Sequence, residues 1–225
     1  MNNLIEQIHY ITSVKTDRDF PITLLQAMLL LDNEYFNGSY LVGGCVRDML
    51  LGIKPKDFDI VTKVHMDKVE EIFKDNGWKV DTAGKQFLVM IVSKNGDNYE
   101  IANFRTEHGF SDGRRPDEVK IGNMKTDSER RDFTINALYY CPFRGAIRDF
   151  VGGMKDIETR TLKFVGKPKD RIKEDYLRVF RFYRFLKKDL TPDKKSLKAC
   201  REMFNEAYKK TTPERVRNEI ERMVL

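Results

Sequence analysis

Two aspartates separated by one residue, Asp57 and Asp59, have the type and spacing that metal chemistry needs. Alternate residues of a β-strand face the same side, so both carboxylates are expected on one face. Two carboxylates that face one way repel each other unless a cation lies between them, which favours a divalent metal ion. Taken alone, the pair is more often a solvated strand end.

A glycine-rich segment, Tyr40–Gly52, precedes these aspartates and reads as a strand, a turn and a short helix. Gly43 and Gly44 have no Cβ, so the backbone can approach a bulky anion closely. A glycine turn that opens a helix also points free N–H groups at that anion. Arg47 lies on the first helical turn, where its guanidinium could hold a phosphate. A phosphate-binding segment next to a metal-binding pair of carboxylates indicates nucleotide chemistry. Gly-Gly alone is usually only a turn.

Further acidic and polar residues follow. The sequence 94–98 predicts a hairpin turn, and the returning strand would place Glu100 near the edge of the same sheet as a third carboxylate. Ser128 is expected to cap a helix that runs to Leu138. On such a helix Asp132 and Asn136 share a face and could hold a ribose, the alternative being a surface salt bridge.

Charged residues recur every third position in a later predicted helix, giving a polar stripe of Asp175, Arg178, Arg181 and Arg184. A carboxylate only accepts hydrogen bonds and a guanidinium only donates them. Asp175 with Arg178 would therefore match the amino group and ring nitrogen of cytosine or adenine, and would reject guanine and uracil. A salt-bridged surface helix is the simpler alternative.

The elements that must position these residues are a sheet with helices, then helices alone. Helices are expected at 21–35, 66–76, 171–188, 194–208 and 213–225, with a short extended piece at 156–164 and a boundary near 165. Residues 1–18 read as a short helix without function.

Composition narrows the function classes. The chain has 225 residues, of which 40% are hydrophobic and 34% charged, with a formal net charge of +6 that favours a polyanionic partner such as RNA. Three scattered cysteines argue against a zinc site or a disulfide framework and fit a reducing cytosol. We expect no signal peptide, no membrane span and a cytoplasmic location.

Several motifs occur together in a fixed order. They are Leu41-Val-Gly-Gly-Cys-Val-Arg-Asp48, Asp57-Phe-Asp59, Arg130-Arg-Asp-Phe-Thr-Ile-Asn-Ala137, Asp149 with its glycines, Glu174-Asp-x-x-Arg178 and Thr212-Pro-Glu-Arg-Val-Arg-Asn-Glu219. From Tyr40 to its end the chain resembles the class II tRNA nucleotidyltransferases (CCA-adding enzymes) and the bacterial poly(A) polymerases.

The resemblance implies an α+β fold, with a nucleotidyltransferase-type mixed β-sheet palm with flanking helices over residues 1–165. An all-helical neck over 166–225 would follow, without the further RNA-binding domains of the family. It implies Mg²⁺ at Asp57 and Asp59, with Glu100 as the third acidic position. The nucleotide contacts that it implies are Gly44, Arg47, Arg131, Asp132, Asp175, Arg178, Arg181 and Arg184, and the residue patterns add Gly43 and Asn136.

The expected activity is the addition of CMP, AMP or both to an RNA 3′ end, with CTP and ATP as substrates and tRNA as the RNA partner. Poly(A) addition is the enzymatic alternative, and a truncated non-catalytic RNA-binding module is the alternative without catalysis. The segment Gly84–Phe87 resembles a region that differs between the CCA-adding and poly(A) branches, and it decides neither.

Overall fold

The computed structural model describes residues 20–187 and 189–224. Its helices, α1 to α9 in chain order, are Ile22–Glu34, Gly44–Leu50, Met66–Asp75, Met124–Glu129, Gly153–Glu158, Pro168–Glu174, Leu177–Leu186, Lys194–Lys210 and Pro213–Val224. Its strands, β1 to β11, are Ser39–Val42, Asp59–Thr62, Lys79–Asp81, Val89–Lys94, Asp97–Asn103, Arg105–His108, Glu118–Ile121, Leu138–Cys141, Ala146–Asp149, Thr161–Leu162 and Thr191–Pro192. The helix expected within residues 1–18 lies outside the described residues.

The described chain forms two compact units, and the first comprises the chain up to Arg105 together with Ile121–Asn123 and Tyr139–Arg148. Its mixed sheet has the strand order β3-β4-β5-β2-β1-β8-β9. Leu41, Ile60 and Ile101 lie side by side across three strands and are fully buried, so this face of the sheet carries the core. The predicted mixed sheet with flanking helices is therefore confirmed.

The hairpin between β4 and β5 forms as predicted. Asn95 and Gly96 both have positive φ, 55° and 89°, as a two-residue hairpin turn requires. The prediction that Glu100 lies near a sheet edge is wrong, because β5 is an inner strand between β4 and β2. Its position follows from β2 adding to β5 in parallel, a pairing between distant segments that the hairpin alone does not reveal.

The second unit comprises Thr106–Lys120, Met124–Leu138 and the chain from Asp149 onward. Four phenylalanines form its aromatic core, with ring centroids 4.9 Å apart for Phe133 and Phe164, 5.6 Å for Phe164 and Phe182, and 5.4 Å for Phe133 and Phe185. All four rings are at most 2% exposed. The predicted boundary near residue 165 stays a prediction.

Four local predictions in this unit are wrong. The helix expected at 128–138 is replaced by α4, which ends at Glu129, and by a 3-10 turn at Thr134–Asn136. Ser128 is a buried residue inside α4, whose hydroxyl donates to the Lys125 carbonyl, and not an N-cap. The extended piece expected at 156–164 is mostly helix, because α5 runs from Gly153 to Glu158.

The helix expected at 171–188 is two helices, α6 and α7, and this is the fourth error. Asp175 stands between them with an extended backbone, φ −149° and ψ 107°. The helices predicted at 194–208 and 213–225 are confirmed as α8 and α9 within two residues, as far as the chain is described. Within the described residues no helix is long and apolar enough to cross a membrane.

Candidate active site

The register of the large sheet brings two predicted acidic residues together. Asp59, the first residue of β2, lies opposite Val42 of β1 on one side and opposite Glu100 of β5 on the other. Residues directly opposite each other in neighbouring strands extend their side chains to the same face. Asp59 is half-buried and Glu100 is exposed. Two carboxylates therefore share one face of the sheet, the face opposite Leu41, Ile60 and Ile101.

The glycine turn begins next to Asp59, because Gly43 directly follows Val42. Gly43 has φ 78° and ψ −129° and precedes the first residue of α2. A residue with a Cβ rarely adopts this conformation, so the turn requires glycine at this position. The structure thus confirms the predicted strand, turn and helix, and it places the turn at the strand end nearest to Asp59.

Asp57 lies just before β2, in an exposed position, and not on the strand as predicted. The alternation of a strand therefore does not fix its direction relative to Asp59. In the described residues no group of three or more His, Cys, Asp or Glu side chains is arranged to hold a metal ion. The carboxylates of Asp57 and Asp59 still fit Mg²⁺, because this ion is commonly bound by one or two carboxylates, with water and substrate phosphates as the other ligands.

Arg47 is more enclosed than its predicted phosphate-binding role suggests. It is 6% exposed, and its Nε and Nη2 donate to Oδ1 of Asp48 at 2.9 and 2.7 Å. A Cβ at Gly44 would lie 3.6 Å from Arg47 Nη2, which is an ordinary contact. Arg47 would bind a phosphate only by sharing its guanidinium with Asp48.

The predicted ribose pair of the second unit, Asp132 and Asn136, does meet, although no helix joins them. Asn136 Nδ2 donates to Asp132 Oδ1 at 3.0 Å, and the Phe133 N–H donates to the same oxygen at 2.8 Å. Arg181 donates to the other oxygen, Oδ2, from Nε at 2.9 Å and Nη2 at 2.6 Å. Both oxygens of Asp132 therefore already accept bonds from the protein.

The ionisation of Asp132 follows from these contacts. Burial by itself would raise the pKa of this carboxyl. The charge of Arg181 and the hydrogen bonds from Asn136 and Arg181 outweigh burial and hold the pKa of Asp132 well below its ordinary value. Asp132 is thus a fixed carboxylate that accepts hydrogen bonds and cannot donate one at neutral pH.

Asp127 is a structural residue of this region that the motif analysis did not single out. It is fully buried and binds two arginines, Arg130 at 2.7 Å and Arg131 at 3.0 Å. The spacings of three and four are those that meet on a helix, and both arginines lie just beyond the end of α4 at Glu129. Arg131, a predicted nucleotide contact, is therefore oriented by a buried carboxylate.

The predicted base-reading pair of Asp175 and Arg178 is not a pair in the structure. Asp175 Oδ1 accepts from the Leu177 N–H at 3.1 Å, and Arg215 of α9 donates to both carboxylate oxygens at 3.1 and 3.2 Å. Arg178 is 9% exposed and donates to Glu174 at 2.7 Å. It also donates to the main-chain carbonyls of residues 171 and 130, at 2.8 and 3.0 Å.

The other two arginines of the predicted stripe meet a buried acid. Arg184 Nε donates to Glu219 Oε2 at 2.5 Å, and Arg181 Nη1 lies 3.9 Å from Glu219 Oε1. Glu219 is 3% exposed. Glu219 and Arg215 are not among the predicted site residues, and each lies more than thirty residues from its partner.

Comparison with known proteins gives the family. A family model described as the poly(A) polymerase head domain matches residues 39–163, which include the glycine turn, the acidic pair and the Arg131-Asp132 segment. The chain belongs to this family. The predicted relationship to CCA-adding enzymes and poly(A) polymerases is thereby confirmed. Nucleotidyltransferases of this family generally use divalent metal ions.

Two curated relatives represent both branches. Poly(A) polymerase I of Haemophilus influenzae is 36% identical over 199 residues, covering 83% of this chain and 43% of that protein. The CCA-adding enzyme of Limosilactobacillus reuteri is 39% identical over 189 residues, covering 83% of this chain and 45% of that protein. The chain spans about half the length of the curated relatives that it matches.

Solved structures agree in fold. The Bacillus stearothermophilus CCA-adding enzyme in complex with CTP aligns with a TM-score of 0.73 and 29% identity, over 88% of this chain and 47% of that one. The Thermotoga maritima CCA-adding enzyme complexed with tRNA_CCA aligns with a TM-score of 0.75 and 28% identity, over 92% and 48%.

Proposed function

We propose that the chain is the nucleotidyltransferase part of a template-independent RNA-extending enzyme that adds CMP, AMP or both to the 3′ end of tRNA. The observation that carries the proposal is the register of Asp59, which lies between the strand that leads into the glycine turn and the strand that carries Glu100. The curated relatives include CCA-adding enzymes, and relatives with CTP and ATP bound share the fold.

The residues of the first unit would handle the phosphates. Asp57 and Asp59 would hold Mg²⁺, with Glu100 beside Asp59 as an additional acceptor. Bound Mg²⁺ would lower the pKa of the attacking RNA 3′-hydroxyl and neutralise the departing pyrophosphate. Gly43 and Gly44 leave the main chain open to the triphosphate. No side chain of the protein needs to form a covalent intermediate.

The residues of the second unit would orient the nucleoside. Asp132 is kept ionised and would accept a hydrogen bond from a ribose hydroxyl, sharing Oδ1 with Asn136. Asp175 would accept from the amino group that cytosine and adenine have in common. Guanine and uracil offer a carbonyl at that position, which would leave Asp175 facing an unpaired oxygen. The proposed substrates are therefore CTP and ATP.

The test is an incorporation assay with labelled nucleotides. The full chain is incubated with Mg²⁺, with either tRNA that lacks its CCA end or an unrelated RNA, and with CTP or ATP. Incorporation of CMP into tRNA supports CCA addition. Long adenylate tails on either RNA would instead assign the chain to the poly(A) branch, which the Haemophilus influenzae relative represents. RNA binding without any transfer would leave only the non-catalytic alternative.

The matched variants are Asp59→Asn and Asp75→Asn. Asp59→Asn keeps the size of the side chain and removes its charge, so transfer is expected to fall by at least about a hundredfold because metal-binding charge is lost. Asp75 is exposed at the end of α3, and its variant is expected to retain wild-type activity. Transfer by Asp59→Asn at the wild-type rate would refute the role of Asp59.

A further inference from the structure

Arg215 of α9 holds the carboxylate that the proposed function assigns to base selection. Its Nη2 donates to Oδ1 and Oδ2 of Asp175 at 3.2 and 3.1 Å. The two side chains are 22% and 21% exposed, so solvent screens the pair only in part. We propose that Arg215 is a specificity-determining positioning residue, which fixes Asp175 as an oriented, ionised acceptor for the amino group of cytosine or adenine. This inference rests on the proposed function.

The number of acceptor positions on Asp175 supports this role. A carboxylate accepts about four hydrogen bonds through its two oxygens. Oδ1 accepts from the Leu177 N–H and from Arg215, whereas Oδ2 accepts from Arg215. Oδ2 therefore keeps an acceptor position, and its direction is set by the bonds already made. An incoming amino group can use that position, while a carbonyl oxygen cannot.

The helix break at Asp175 makes an external partner necessary. The extended backbone of Asp175 places it outside both α6 and α7, so helical packing does not fix its side chain. Arg178, which the sequence suggested as its partner, is buried and donates to Glu174 and to two main-chain carbonyls. Orientation of Asp175 therefore comes from the Leu177 N–H and from Arg215.

Helix α9 contacts the stripe of α7 in a second place with the opposite charge. Glu219 lies four residues after Arg215, so the two side chains share a face of α9. Glu219 accepts a bond from Arg184 at 2.5 Å. If α9 only packed against α7, apolar contacts such as that of the buried Val216 would be enough. The polar groups of α9 instead hold one acceptor and one donor of the stripe.

The test compares nucleotide selection in Arg215→Gln and in the wild-type full chain. The value of kcat/KM is measured for CTP and UTP, and for ATP and GTP. The CTP-to-UTP ratio is expected to fall about tenfold in the variant, the scale of coupling between contacting polar residues. Arg217→Gln is the matched control, because Arg217 is exposed on the same helix two residues later. Its ratio is expected to equal that of the wild type.

A double-mutant cycle separates positioning from general support. If Arg215 acts through Asp175, then Arg215→Gln in an Asp175→Ala background leaves the CTP-to-UTP ratio where Asp175→Ala put it. An unchanged ratio in the single variant, or an equal further loss in the double variant, would overturn the inference. Arg215→Lys retains the charge and is expected to recover part of the ratio, and it replaces Arg215→Gln if that variant does not fold.

Equilibrium binding of CTP and UTP without RNA distinguishes the two proposals. If the wild-type chain transfers no nucleotide, the proposed function fails, but the binding ratio still reports base selection. Binding of CTP in preference to UTP that is lost in Arg215→Gln would support the positioning role independently of catalysis. Equal binding of both nucleotides by the wild type would overturn it.

Discussion

Replacing Asp132 with Asn tests the charge on which the second unit is organised. The amide oxygen can keep the bonds from the Phe133 N–H and Asn136, but the change removes the charge that faces Arg181 and puts an NH2 donor in place of the acceptor Oδ2. Removing one partner of a buried pair costs about 3–5 kcal/mol. Arg181 is 29% exposed and lies 3.9 Å from Glu219, so part of its charge remains compensated. We expect a loss of about 2–3 kcal/mol at pH 7, below that range because of this compensation.

The lowered pKa of Asp132 determines how the stability difference between wild type and Asp132→Asn changes with pH. The pKa of Asp132 is lowered in the folded chain, so its stabilising effect is complete above the ordinary aspartate pKa. That effect is lost as the pH falls below about 4 toward the folded-state pKa. The difference in unfolding free energy between wild type and Asp132→Asn should therefore shrink in acid.

Urea denaturation at pH 7, 5, 4 and 3 measures this difference. Asp170→Asn serves as the control, because Asp170 is exposed in the first turn of α6 and should change stability by less than about 0.5 kcal/mol at every pH. A difference for Asp132→Asn that stays constant from pH 7 to pH 3 would refute the assignment of Asp132 as an ionised partner of Arg181.

Two further predictions concern packing and thiol chemistry. In Gly153→Ala the new Cβ would lie 2.2 Å from the Thr134 carbonyl oxygen, so we expect the variant to be destabilised by about 1–3 kcal/mol. Urea denaturation measures this loss against the control Lys155→Ala, which lies on the exposed side of the same helix. Equal stability of the two variants would contradict the close approach. Burial raises the pKa of the Cys45 and Cys200 thiols to about 12. At pH 8 these thiols of the native protein should therefore resist iodoacetamide and react only in urea. Rapid labelling of the two cysteines in the native chain would contradict their burial.

The part of the site that the sequence predicted correctly depends on local chemistry. The strand, turn and helix at 39–50 follow from a run of apolar residues and from a glycine whose φ is positive. The hairpin at Asn95-Gly96 follows from residues that tolerate positive φ. In both cases the deciding residues lie within a few positions of one another, so a single sequence contains enough information.

The errors arose where distant contacts outweigh local pattern. A helix through 128–138 fits the apolar spacing, but the main chain at 132 and 134 bonds to the segment 163–165, and Phe133 packs on Phe164. These contacts hold the chain in an extended form at Phe133. A periodic helical pattern does not reveal such a competitor, because it lies thirty residues away.

The spacing of three in the charged stripe correctly predicted that charged residues cluster here, but it predicted the wrong partners and a single helix for them. Arg181 and Arg184 do share α7, but each faces an acid, Asp132 for the first and Glu219 for the second. Asp175, which the pattern placed on the same helix, faces Arg215 of α9. The stripe is therefore balanced pair by pair and is not an open row of cations. Paired charges have fixed directions, and a fixed direction is what allows a carboxylate to distinguish an amino group from a carbonyl. An unpaired row of arginines would attract any nucleotide through its phosphates and would select none by its base.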